Sequence, residues 1–214
     1  MALVPVQDSG GMREELKRSA GDLGLSGLHL HSNALGKMLD SKEHRDFFEL
    51  ASQMRMPVFI HPTIPYNVSG LTEYRLASTF GLQLDLSLSL LRMIFSGIFE
   101  RSKGLKVVVS HLGSTLPYIS HRLDDEFDAA RPNDAKISNR PSEYIRKLYV
   151  DTVTKQVAPL EFAVRYFGSD HVLFGSDYPF WNTREHMQAV AESSISAEDK
   201  EKIFGTNALG LLRN

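Results

Sequence analysis

Six short apolar runs, rich in β-branched residues and separated by longer stretches of helical period, restrict the folds open to this chain. They span residues 2–6, 27–31, 58–61, 106–110, 148–151 and 172–175. Most are continuous rather than alternating, as expected of strands covered on both faces in a parallel sheet. The helical patterns cover 12–23, 43–54, 84–99, 116–127, 159–167 and 196–212. In the second, Phe47, Phe48, Leu50 and Ala51 fall at core-facing spacing, and the third is apolar enough to need cover from other elements. Ser196 with Asp199 resembles a capping box with Asp in the Glu position. Repeated strand-then-helix units predict an α/β fold, either a (β/α)8 barrel or an open doubly wound sheet.

Three features favour the barrel. Polar groups close several different strands, where barrels carry their chemistry. No Gly-x-Gly-x-x-Gly or Walker loop follows any strand. No stretch of the 214 residues reads as a second domain. The strand count is short, since a full barrel takes about 250 residues. The expectation is therefore one domain over 1–214, a TIM-barrel type with about six of its eight strands.

Composition narrows the partners. With 24 basic and 26 acidic residues, a net charge of -2 and no long run of either sign, nothing points to nucleic acid or an acidic membrane. The absence of cysteine excludes disulfides, Cys-type zinc sites and thiol catalysis. The first residues carry neither a basic region nor a long apolar one, and the apolar stretch near 86–98 is interrupted by Ser87, Ser89, Arg92, Ser96 and Gly97. A cytoplasmic protein is expected.

The strand ends carry the chemistry. His61 closes Val58-Phe59-Ile60 and precedes Pro62. His111 closes Val107-Val108-Val109-Ser110 and precedes Leu112-Gly113. Asp177 follows Val172-Leu173-Phe174-Gly175-Ser176 and precedes Tyr178-Pro179. Imidazole and carboxylate are the usual ligands of catalytic zinc. An unligated His nearby can move protons near neutral pH. A lone strand-end His reads more simply as a cap or a satisfied core residue; three such ends in one chain outweigh that.

These motifs, with Gly97-Ile98-Phe99-Glu100, Tyr149-Val150-Asp151-Thr152 and Gly205-Thr206-Asn207-Ala208, resemble the amidohydrolase superfamily. Within it they resemble the branch of 2-amino-3-carboxymuconate-6-semialdehyde and resorcylate decarboxylases. The resemblance implies a barrel with a divalent metal, zinc first and manganese second, held by His61 and Asp177, with His111 as the proton-transfer group. It implies a decarboxylase of a small aromatic or muconate-type carboxylic acid and a homodimer or higher homo-oligomer. Hydrolysis of a lactone or amide, or an inactive fragment with an assembly role, are the alternatives. By the same resemblance Arg122 binds a substrate carboxylate, in its own or a neighbouring subunit; it reads equally as a solvated helix residue. Trp181 and Tyr66 are candidate substrate contacts, though Trp181 also reads as a bare exposed aromatic. Asp151 reads evenly as a carboxylate acceptor for a His or as a turn residue. His44, His121 and His186 read as helix-surface residues, and His171 as structural.

The family also carries a His-x-His or acid-x-His at its first strand. His29-Leu30-His31 has that form, since residues i and i+2 share a strand face. It precedes His61 by too few residues to be that strand. On this alignment 2–6 and 27–31 match the family's third and fourth strands, and the first two are missing. His29 and His31 are then ordinary strand-end residues, or else replacements in a rearranged site.

Overall fold

The computed structural model describes residues 1–212. Its strands are β1 (Ala2–Leu3), β2 (Leu28–His31), β3 (Asn33–Ala34), β4 (Lys37–Met38), β5 (Val58–His61), β6 (Val107–Val109), β7 (Tyr149–Asp151) and β8 (Val172–Leu173). Six of them form one sheet in the order β1-β2-β5-β6-β7-β8, every pair parallel. β3 and β4 make a separate antiparallel hairpin directly after β2. The helices are α1 (Ser9–Lys17), α2 (Lys42–Gln53), α3 (Phe80–Phe95), α4 (Ile98–Arg101), α5 (Leu116–Ala129), α6 (Pro141–Ile145), α7 (Val157–Phe167), α8 (Thr183–Glu192), α9 (Ala197–Glu201) and α10 (Asn207–Leu212). Among these residues the sheet stays open, with β1 and β8 at its edges, which is an incomplete barrel. No helix described is long and apolar enough to cross a membrane.

The register divides the sheet into two faces. Leu28, Leu30, Val58, Ile60, Val107, Val109, Val150 and Val172 point under the helices and join Phe47, Phe48, Leu86, Leu90, Ile94 and Leu160 in the main core. The other face carries Phe59, Val108, Tyr149 and Leu173, covered by Ala208 and Leu211 of α10. His29, His31 and His61 share this second face, because His31 pairs with His61 and His29 with Phe59. β2 and β5 therefore alternate between buried and half-buried residues rather than being covered on both faces.

Several boundaries differ from the sequence pattern. The first strand stops at Leu3, since Pro5 has no N–H to offer a ladder. The third helix begins at Phe80 and stops before Gly97, whose φ of +76° starts the separate α4. α8 carries His186, whose helical setting the sequence reading expects without giving the helix bounds; Asn182 caps it by accepting from the Arg184 N–H. The capping box at Ser196 and Asp199 forms, with Asp199 N–H donating to the Ser196 hydroxyl. His44 and His186 are not surface residues; each is 1% exposed. His44 lies three and four residues before Phe47 and Phe48, on the buried stripe of α2. His186 shares its face with Ala189 and Val190, and its Nδ1 lies 3.0 Å from the Asn182 carbonyl. His121 is exposed and paired with Asp125. His171 stacks on Tyr149 and contacts the Leu148 carbonyl.

Candidate metal centre

His61, His111 and Asp177 converge at the ends of β5, β6 and β8, one ligand atom of each lying within 4.8 Å of the others. The His61 and His111 ring centroids are 5.5 Å apart. Each side chain is brought there by a locally forced backbone.

His61 is the best defined of the three. Its Nδ1 lies 2.8 Å from the Pro62 carbonyl and its Nε2 lies 3.2 Å from Asp177 Oδ1. A carbonyl can only accept, which assigns the ring hydrogen to Nδ1 and leaves Nε2 as a lone pair in the neutral ring. A lone pair turned on a carboxylate at this distance is complementary only with a cation between them, either a proton or a metal ion. Donation of the second ring nitrogen to a backbone carbonyl is also how metal-ligating histidines are oriented. The donor set therefore fits a divalent metal.

His111 opens a turn in which His111, Leu112, Gly113 and Ser114 all have φ between +55° and +76°. Non-glycine residues pay about 1–3 kcal/mol each in this region, and such outliers cluster at functional sites. Gly113 is required for a second reason: a Cβ there would lie 2.8 Å from Phe167 Cζ and 3.0 Å from Val150 Cγ1. Asp151 at the end of β7 braces the turn by accepting the N–H of Leu112 at 3.3 Å and of Val153 at 3.0 Å. Burial pushes its carboxyl up to about 6 against these hydrogen bonds, and the charge of Asp177 adds to the rise. Asp151 is thus the support of the His111 turn rather than a partner of its ring. The His111 ring itself sits below the ordinary imidazole value, chiefly through burial and in smaller part through His61, with Asp177 opposing.

Asp177 also has a positive φ, +55°. The segment leading to it is tied to β7 by a reciprocal pair, Gly175 N–H to Thr152 Oγ1 and Thr152 Oγ1–H to the Gly175 carbonyl, both 3.1 Å.

The three groups open into a cavity of about 820 Å³ whose wall includes Arg75, Gln83, Lys155, Phe180, Trp181 and His186. Lys155 lies over the Trp181 ring at 5.0 Å and pairs with Glu185 at 2.5 Å. The Arg75 guanidinium makes no ion pair among the described residues. Two other sequence candidates lie elsewhere. Arg122 stands on α5 with its side chain 81% exposed and paired with Glu126, and it does not line this cavity. Tyr66 lines a different cavity, with His31 and Leu3. The loop after β5 turns it away because its N–H is held by Asp85. The His29 ring lies 6.4 Å from that of His61 and 5.0 Å from that of His31, and neither His29 nor His31 joins the ligand group. Arg75 had no sequence signal, lying on a loop without period. Lys155, just past the end of β7, was open to the strand-end rule.

The family model described as Amidohydrolase matches residues 1–213. The chain is 33% identical over 213 residues to a 2-amino-3-carboxymuconate-6-semialdehyde decarboxylase of Dictyostelium discoideum, an alignment covering 98% of this chain and 59% of that protein. Among solved structures it resembles 5-carboxyvanillate decarboxylase LigW from Sphingomonas paucimobilis, with a TM-score of 0.94 and 27% identity over 100% of this chain and 66% of that one. A 5-carboxyvanillate decarboxylase from Novosphingobium aromaticivorans, solved with manganese and 4-hydroxy-3-methoxy-5-nitrobenzoic acid, gives a TM-score of 0.91 and 27% identity over 100% and 64%. The chain thus spans about three fifths to two thirds of the length of these relatives.

Proposed function

The chain belongs to the amidohydrolase family, and from that membership and the meeting of His61, His111 and Asp177 we propose a metal-dependent carboxy-lyase acting on a small aromatic or muconate-type carboxylic acid. The observation that supports this most is the His61 Nε2 lone pair facing Asp177 Oδ1 at 3.2 Å, an arrangement that calls for a cation. His61 and Asp177 would hold a divalent ion with His111 beside it. Two imidazoles and a carboxylate suit zinc, while the Novosphingobium relative carries manganese. When bound, such an ion orients substrate oxygens and stabilises negative charge on them.

The remaining work falls to the chain's own side chains. His111, held below the ordinary imidazole value by burial, is neutral near pH 7. It takes a proton from a substrate hydroxyl or from water. As the bond from the substrate carbon to its carboxylate breaks and carbon dioxide leaves, the electron pair left on that carbon collects that proton from His111. Arg75 meets an anionic oxygen of the substrate, and Phe180 and Trp181 offer faces to a flat ring. In this reading residues 1–214 act as one domain and self-associate through the open sheet edges, which light scattering would test.

The direct test is carbon dioxide release by the zinc-loaded chain from 5-carboxyvanillate, 2-amino-3-carboxymuconate-6-semialdehyde and simple hydroxybenzoates. Release from at least one acid, abolished in His111→Asn, is expected. A folded, zinc-loaded chain that releases none would refute the reading.

A further inference from the structure

Asp85 is a buried carboxylate, 4% exposed, on α3 and away from the ligand group. It has no cation partner among the described residues, and a buried charge so placed needs an explanation. We infer that Asp85 and Ser32 are positioning residues that set the ring of His61 by locking the Pro62–Thr63 peptide; the inference rests on the metal-centre reading above.

Ser32 is fully buried and grips the chain on both sides of Pro62. Its N–H donates to the His61 carbonyl at 3.0 Å. Its hydroxyl accepts the Thr63 N–H at 3.2 Å and donates to Asp85 Oδ2 at 2.6 Å. The Ser32 carbonyl accepts the Ser89 hydroxyl. In a trans peptide the C=O and N–H point in opposite directions. Holding the Thr63 N–H against Ser32 turns the Pro62 C=O the other way, onto His61 Nδ1 at 2.8 Å. Proline's fixed φ leaves ψ of Pro62 as the torsion that turns this peptide plane, and the Thr63 N–H bond to Ser32 holds it.

Asp85 fixes the serine hydroxyl in the rotamer this requires. Its Oδ2 also accepts from Asn33 Nδ2 at 2.9 Å, and its Oδ1 accepts the Tyr66 N–H at 2.7 Å. Three donors converge on one group that can only accept. An asparagine here would turn its own N–H onto one of them.

The test uses the whole chain and zinc alone. Ser32→Ala removes the acceptor for Thr63 N–H, and Asp85→Asn disturbs it while preserving shape. Zinc affinity is read by competition with a chromophoric chelator, and the His61 Nδ1–H proton by NMR. Ser32→Ala is expected to weaken zinc binding about 10–100-fold and to speed exchange of that proton, with Asp85→Asn showing a smaller change in the same direction. Ile94→Val, a core truncation on the same helix, serves as the stability control and leaves both readouts unchanged. Affinity within about 3-fold of wild type and a protected Nδ1–H in Ser32→Ala overturn the inference, as does an equal loss in Ile94→Val. Wild-type protein that binds no zinc refutes the metal-centre reading by itself, and Nδ1–H exchange in the metal-free protein then decides the inference alone.

Discussion

His29 makes a quantitative test of how the open sheet face is organised. Its ring lies between those of His31, 5.0 Å away, and His61, 6.4 Å away. Burial first, then the charges of His31, His61 and the chain's amino terminus, pull its pKa from 6.5 to about 4. The folded state therefore refuses a proton that the unfolded chain accepts below pH 6.5. The stability associated with this group is full above 6.5 and is lost as pH falls from 6.5 towards 4. At about 1.4 kcal/mol per pKa unit the complete loss is about 3 kcal/mol, and about 2 kcal/mol of it falls between pH 8 and pH 5. The ring is half-buried, and solvent screening reduces this to about 1–2 kcal/mol. Urea unfolding of chelator-treated wild type and His29→Leu at both pH values measures it. The wild type should lose about 1–2 kcal/mol more than the variant on going from pH 8 to pH 5. Equal losses in the two proteins would mean that His29 is not held neutral, and the crowded histidine face would be wrong.

Three further changes probe the site. Gly113→Ala forces a Cβ to 2.8 Å from Phe167 at a φ of +76°; it should cost about 2 kcal/mol or more, a Tm fall of roughly 4–8 °C in a thermal melt. His111→Asn should keep zinc binding within about 10-fold, because His61 and Asp177 remain, while kcat falls about 100–10,000-fold. Arg75→Ala should raise KM for the acid about 10-fold with kcat little changed, the result of losing one charge-assisted contact; an unchanged KM would remove Arg75 from substrate binding.

What could be read in the sequence follows from what each signal encodes. The runs at 58–61, 106–110 and 148–151 each became a strand of the parallel sheet, though only the second is buried along its whole strand while the other two alternate with half-buried residues. His61, His111 and Asp177 stood out because a polar group ending an apolar run breaks the pattern, and the parallel sheet gathers those strand ends on one side. Tyr66 was read from its place on the loop after His61 and Arg122 from the family resemblance, but side-chain direction is set by contacts far along the chain. Arg122 faces solvent beside Glu126, and Asp85 holds the Tyr66 backbone so that the ring enters the other cavity. Asp85 itself lies in an apolar helix pattern that gives no hint of Ser32, 53 residues away. His44 and His186 were misread because polarity suggested a surface, whereas their spacing from Phe47, Phe48, Ala189 and Val190 is that of a buried stripe.

The central claim is that His61 and Asp177 hold a divalent ion, with His111 beside it as the proton-transfer group. Metal titration of the purified chain against His61→Ala and Asp177→Asn, both checked for folding by circular dichroism, tests it most directly. The account predicts one zinc or manganese per wild-type chain, and in each folded variant an affinity lower by at least about 100-fold. Wild-type affinity in either folded variant, or a folded wild type that takes up neither ion, would contradict it.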